Sequence, residues 1–232
     1  MIRNKRDLGG MPCGDGRVIR HGCLVRSAQL AMAEPQDLEG IAAVMDLRTP
    51  GERGEAPDRT YGRRYLPLPV FDDLTAGISH EQGAESAGIP DMAFLYRRMV
   101  AECAASFRRI LTAVMEHDFA SGAVLWHCTE GKDRCGLTAA LLLEMLGADR
   151  ADIMEDYLKT NEVSLARAEG IREQLLMTHD PAFADSVYRA YIADRRYLEA
   201  AWDEMGDDYI TGRLGIPGEA QEAFRRRVLE GV

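Results

Sequence analysis

Residues 123–126, Ala-Val-Leu-Trp, are an unbroken apolar run, and residues 136–147 begin and end on glycine around a segment that is apolar nearly all round. A strand with no polar face is buried on both sides, the position of a central strand in a parallel sheet. A helix with no polar face must likewise be surrounded by protein, and Gly147 marks its C-terminal end. Together they predict an α/β fold with a central, mostly parallel sheet flanked by helices. Between them lie residues 127–135, His-Cys-Thr-Glu-Gly-Lys-Asp-Arg-Cys, a tight loop joining strand to helix.

The rest of the chain fits around that unit. Asp15-Gly16 before Val18-Ile19 is a hairpin signal, Cys23-Leu24-Val25 is a short apolar run, and Ile41–Met45 enters Asp46-Leu47-Arg48 as a buried strand with a polar end. Two prolines restrict Tyr65–Val70 to a sheet edge or irregular extended chain. Residues 72–90 lack apolar periodicity and read as a long loop or flap. Asp91 caps one long helix with a stripe of Met92, Leu95, Met99, Cys103, Phe107, Ile110 and Val114. From Asp149 the pattern is helical: 149–160, 162–177, 183–205 and 217–229, the last opened by Pro217. No linker, repeat or low-complexity tract divides the chain, so residues 1–232 are expected to form a single domain whose helical half, about 149–232, packs on the sheet and walls the site.

Charge and cysteine usage exclude several functions. A net charge of −10 argues against nucleic acid as a partner. The five cysteines, Cys13, Cys23, Cys103, Cys128 and Cys135, show no CxxC pair and no zinc-type cluster, so neither a disulfide scaffold nor a metal or other cofactor is expected. Arg3, Lys5 and Arg6 are followed by Asp7-Leu8-Gly9-Gly10 rather than an apolar leader, and no run reaches the roughly 18 apolar residues of a membrane span. The expectation is a cytoplasmic chain without stable membrane insertion.

The loop carries the chemistry. A phosphoryl dianion needs several donors converging on its nonbridging oxygens, and backbone amides of a short loop at a helix N-terminus supply them with the positive end of the helix dipole. Residues Thr129, Glu130, Gly131, Lys132, Asp133 and Arg134 are placed for this, and Arg134 adds a planar fork for two oxygens. The same field favours the thiolate of Cys128, a competent nucleophile toward phosphorus. A carboxylic acid must protonate the leaving oxygen: Asp133 within the loop is the first candidate, and Asp72 and Asp73 on the flap are the second. His127 is read as a loop anchor rather than a base.

With Asn4–Gly10, Arg26-Ser27, Asp46-Leu47-Arg48 and His127–Arg134, the chain resembles the bacterial and fungal tyrosine phosphatase family, which has a mycobacterial type member. The resemblance implies a cysteine-phosphatase fold with a helical lid. It also implies metal-free hydrolysis of phosphotyrosine through a cysteinyl-phosphate, extending to phosphoserine/threonine and phosphoinositides. It carries the nucleophile to Cys128, phosphate binding to the loop and Arg134, the acid to Asp133, and a lysine associated with lipid-phosphate tolerance to Lys132. Because the family includes exported effectors, it also leaves room for non-classical secretion.

Two positions depart from the family. Cys135 replaces a threonine or serine whose hydroxyl would bond the thiolate, and a thiol is a weaker donor. A Cys128–Cys135 disulfide is one reading of it; a size-compatible substitution is the plainer one. Glu130 brings a carboxylate into the loop and is expected to disfavour highly phosphorylated substrates unless it points outward. These departures keep open a phosphate-binding pseudophosphatase that recognises phosphorylated partners without turnover. Sulfur transfer or arsenate reduction is a third class, against which the Lys132-Asp133-Arg134 run argues. Elsewhere, Arg48 divides between a ligand-binding role and a salt bridge to Asp46 or Glu52. Asn4–Gly10 and Arg26-Ser27 divide between an active-site floor and a starting turn. Arg225-Arg226-Arg227 reads as a solvated helix face with Glu219 and Glu222, and Trp202 as core packing.

Overall fold

The structure is a computed structural model, and it describes residues 1–71 and 91–231. The chain opens with β1 (Arg6–Asp7), the hairpin of β2 (Pro12–Cys13) and β3 (Arg17–Ile19), and β4 (Leu24–Ser27). Next come β5 (Ile41–Asp46), the short helix α1 (Pro50–Glu55) and β6 (Arg64–Pro67). Helices α2 (Met92–Glu102) and α3 (Ala104–Glu116) lead to β7 (Ala123–His127) and α4 (Asp133–Leu146). The remainder is α5 (Arg150–Leu158), α6 (Asn161–Leu176), α7 (Pro181–Tyr191), α8 (Arg195–Met205), α9 (Gly218–Val228) and β8 (Leu229–Gly231).

The main sheet has the order β1-β4-β7-β5-β6, parallel throughout except for β1, which pairs antiparallel with β4. The apolar run at 123–126 is its middle strand and is wholly buried, as a segment without a polar face requires. The proline-bearing β6 lies at the edge, where a missing N–H costs no ladder bond. Register brings Ser27, His127 and Asp46 side by side at the carboxyl ends of β4, β7 and β5, the place where open α/β sheets hold ligands. A smaller antiparallel sheet, β2-β3-β8, ties the chain's end to its beginning.

Every residue of α4 except Glu144 is buried, and each of its inward leucines contributes about 1.5–3 kcal/mol by leaving water. The helix stops where Gly147 turns left-handed at φ +87° and donates to the Glu144 carbonyl, while Ala148 donates to Leu143. At its other end the helix is tied to β7 by the Trp126 indole N–H, which donates to the Cys135 carbonyl at 3.3 Å.

Three expectations require correction. The stripe from Met92 to Val114 is two helices, because the ladder breaks at Cys103, and the Tyr209 hydroxyl and Arg213 guanidinium hydrogen-bond the nearby carbonyls of Val100 and Ala101. The stretch 183–205 is also two helices. Asp194 caps the second by accepting from Arg196 N–H, Asn161 brackets Ala193 through its N–H and carbonyl, and Lys132 takes the carbonyls of Ala190 and Ile192. Arg225 and Arg227 are not simply solvated: they donate to the carbonyl of Met145 at the end of α4 and to those of Met115 and His117 at the end of α3. The flap at 72–90, with Asp72 and Asp73, lies outside the described residues.

Candidate active site

The loop at 128–132 begins at the end of β7 and hands over directly to α4. Its carbonyls are turned outward and each has a donor. Gln29 N–H holds Thr129, Asn4 Nδ2 holds Glu130 and Gly131 at 3.1 and 3.0 Å, and Arg26 Nη2 holds Gly131 at 2.9 Å and Lys132 at 3.4 Å. Arg26 and Arg6 are in turn fixed by Asp156, at 2.8 and 2.6 Å. A loop with its carbonyls committed to one side presents its amides to the other. The Gly131 N–H accordingly points at Cys128 Sγ, 3.2 Å away. Gly131 sits at φ +71°, and a Cβ there would fall 2.6 Å from the Ser27 backbone, so only glycine lets the loop pass β4 this closely. Asn4, Arg6 and the Arg26-Ser27 pair, which the sequence left ambiguous, thus buttress this loop from behind.

Arg134 lies in the first turn of α4 and is 3% exposed. Its Nη1 and Nη2 each donate to one oxygen of Glu52 at 2.7 Å, a planar two-point pair that fixes the orientation of the guanidinium. Glu52 also accepts from the Thr129 hydroxyl at 2.7 Å and, as the third residue of α1, from the backbone N–H of Thr49. One buried carboxylate therefore joins a helix cap to the loop. Sequence reading passed over Glu52 except as a partner for Arg48. The signal was present in Thr49-Pro50-Gly51-Glu52, a capping box with proline at the first helical position.

Burial acts to keep Cys128 a neutral thiol, but a hydrogen bond from the Cys135 thiol and the positive charge of Arg134 outweigh it, and its pKa is pushed down to about 6. Cys135, fully buried, is itself pushed well above the ordinary thiol value by burial and by the neighbouring Cys128, and its Sγ donates to the Ser27 carbonyl at 3.7 Å. Alkylation of Cys128 by iodoacetamide, followed by peptide mass spectrometry, should rise with pH through a midpoint near 6. Below that pH the thiol is protonated and slow. Cys135→Ala should move the midpoint upward; an unmoved midpoint would show that the Cys135 donor has no such effect.

The other loop side chains diverge. Asp133 Oδ1 accepts from the Tyr96 hydroxyl at 2.7 Å and lies 3.1 Å from the Lys132 ammonium. Lys132 is 1% exposed and points away from the loop's mouth, donating to the carbonyls at the end of α7 and lying 5.7 Å from the Tyr197 ring centre. Glu130 points outward and pairs with Arg3 and Arg167.

Behind Cys128, the side chains of Asp46, Arg48, Asp58 and His127 form one buried group. Arg48 binds Asp46 at 2.8 Å and Asp58 at 2.9 Å, His127 Nε2 lies 3.0 Å from Asp58, and His127 Nδ1 lies 3.2 Å from the Cys128 carbonyl. Burial pushes the Asp46 carboxyl up, but the Arg48 hydrogen bonds and the His127 and Arg48 charges hold it well below the usual carboxylate range. Asp46, Asp58 and His127 bring ligand-type atoms within 4.8 Å of one another, and the Arg48 guanidinium already supplies positive charge to both carboxylates. Arg48 thus makes the salt bridge that its sequence position left undecided.

A model of the tyrosine phosphatase family matches residues 1–230. A Cupriavidus necator protein designated a tyrosine-protein phosphatase is 30% identical over 231 residues, covering 93% of this chain and 82% of that protein. The triple specificity protein phosphatase PtpB of Mycobacterium tuberculosis is 30% identical over 251 residues, covering 90% of each. A tyrosine-protein phosphatase of Nostoc commune is 30% identical over 146 residues, covering 57% of this chain and 46% of that protein.

Proposed function

The chain belongs to the tyrosine phosphatase family, and we propose that it hydrolyses phosphotyrosine in proteins through a covalent intermediate on Cys128. In the first step the Cys128 thiolate attacks phosphorus in line, the S–P bond forms as the P–O bond to the phenol breaks, and Asp133 gives its proton to the departing oxygen. Water then attacks the cysteinyl-phosphate, giving a proton to the Asp133 carboxylate as the S–P bond breaks, so that the thiolate and the acid are restored and inorganic phosphate is released. The amides of residues 129–134 hold the nonbridging oxygens throughout, and the Arg134 guanidinium, oriented by Glu52, adds its positive charge.

The observation that carries this reading is the placement of Cys128 Sγ 3.2 Å from an inward loop amide, in the same loop as an arginine already oriented by Glu52, a setting that favours the thiolate. Phosphate release from a phosphotyrosine peptide in the presence of a chelator tests it, and a wild-type chain that released none would overturn it. The acid assignment has its own test. Asp133→Asn should lower kcat by about 10²-fold or more for phosphotyrosine while sparing p-nitrophenyl phosphate, whose leaving group needs little protonation. An equal loss in Asp72→Asn, with Asp133→Asn unaffected, would move the role to residue 72.

The same active site would take phosphoserine and phosphothreonine as slower substrates, given the triple-specificity relative. Phosphoinositides are disfavoured in this reading, because Lys132 is committed to the α7 carbonyls and to Asp133 rather than to a second phosphate. We propose one domain across residues 1–232, working in the cytoplasm, a location in keeping with scattered cysteines that form no CxxC pair.

A further inference from the structure

Glu130 stands two residues after the nucleophile, yet its carboxylate leaves the loop for the rim. There it meets two guanidinium groups from distant parts of the chain. Arg3 places Nη1 3.1 Å from Oε2 and Nη2 3.3 Å from Oε1, and Arg167 on α6 places Nη1 2.8 and 2.9 Å from the two oxygens. Arg167 is itself positioned, its guanidinium lying 5.1 Å from the ring centre of Tyr191 on α7. The arginine side chains are 46% and 42% exposed, against 19% for Glu130, so the clamp opens to solvent with the carboxylate at its base. Two fixed cations around one anion leave a net positive charge of one beside a phosphate-sized loop. The geometry is that of an anion site filled by the protein's own carboxylate.

We propose that Arg3 and Arg167 form a subsite for an acidic residue flanking the phosphotyrosine of a peptide substrate, and that Glu130 sets specificity by occupying it. This deepens the phosphotyrosine reading and rests on it. A peptide is favoured over an anionic bilayer because the chain carries a net charge of −10, which repels an extended negative surface. An acidic residue next to the phosphotyrosine must displace Glu130 to reach the arginines, so the wild type holds its preference for such peptides low.

The test is a ratio taken within each protein, acidic-flanked over neutral-flanked phosphotyrosine peptide, so that general damage to the loop cancels. Both kcat/KM and the Kd measured in a Cys128→Ser background are read. Glu130→Gln should raise the ratio about two- to fivefold, the worth of one exposed ion pair, and the gain should shrink as salt is added. Adding Arg3→Gln and Arg167→Gln to Glu130→Gln should return the ratio to or below the wild-type value. An unchanged ratio in Glu130→Gln overturns the proposal, as does a gain that survives loss of both arginines, or a gain confined to phosphoinositide vesicles. A shift in the Kd ratio without turnover in any protein would uphold the subsite and reject the enzyme reading. Turnover with a fixed ratio would do the reverse, and no binding with no turnover would reject both.

Discussion

The Cys128→Ser protein is expected to lose turnover of phosphotyrosine peptides by roughly 10⁴-fold or more, the usual scale for removing a covalent nucleophile, while still binding them. A serine hydroxyl ionises far above neutral pH, and the loop field that brings the cysteine to about 6 cannot bring an alcohol into that range. The phosphate-holding parts are untouched by the change. The outward carbonyls stay on Asn4 and Arg26, and Arg134 stays on Glu52. Steady-state hydrolysis and equilibrium peptide binding on the same preparation separate the two effects. Residual hydrolysis above about a hundredth of wild type would point to a nucleophile other than Cys128.

Arg134→Lys should lower kcat/KM on the order of 10³-fold, with the protein still folded. Lysine keeps the charge but not the fork, so it can follow one phosphoryl oxygen and not two as charge moves outward in the transition state. It also gives Glu52 a single contact in place of the pair at 2.7 Å, and the orientation transmitted from α1 is lost. Lysine is a better probe here than alanine. Removing the cation would leave the buried Glu52 carboxylate short of its partner, a change that costs about 3–5 kcal/mol and confuses catalysis with stability. Thermal unfolding should therefore move little in Arg134→Lys, and weakened binding of orthovanadate should accompany the rate loss. A loss below about tenfold would mean that a point charge suffices and that the Glu52 pair is structural.

The parts of this molecule that were legible in the sequence are those dictated by local pattern. An apolar run without a polar face could only be a middle strand, and β7 is one. The prolines near Tyr65 left an edge or irregular extended chain, and β6 lies at the edge. The loop was legible because its glycine, its cysteine and the helix behind it are contiguous. What was not legible depends on pairs far apart in the chain. Nothing near Cys103 breaks a helix; Tyr209 and Arg213, more than a hundred residues on, bond the carbonyls beside the break. The gap between α7 and α8 is held by Lys132 and Asn161 as much as by its own Asp194. Glu52 carried a readable local message, a helix cap, that concealed a second use, since its reach to Arg134 spans 82 positions. Lys132 shows the same limit. Its place in the loop suggested a phosphate contact, and its side chain instead fastens the loop to the end of α7.

The central claim is that phosphate passes through the sulfur of Cys128, and trapping the intermediate tests it most directly. Wild-type protein mixed with a phosphotyrosine peptide, quenched in acid within a turnover and digested for mass spectrometry, should yield a phosphoryl group on the peptide bearing Cys128. The signal should vanish in Cys128→Ser. Turnover without any phosphorylated peptide, or a phosphoryl group on another residue, would contradict the account.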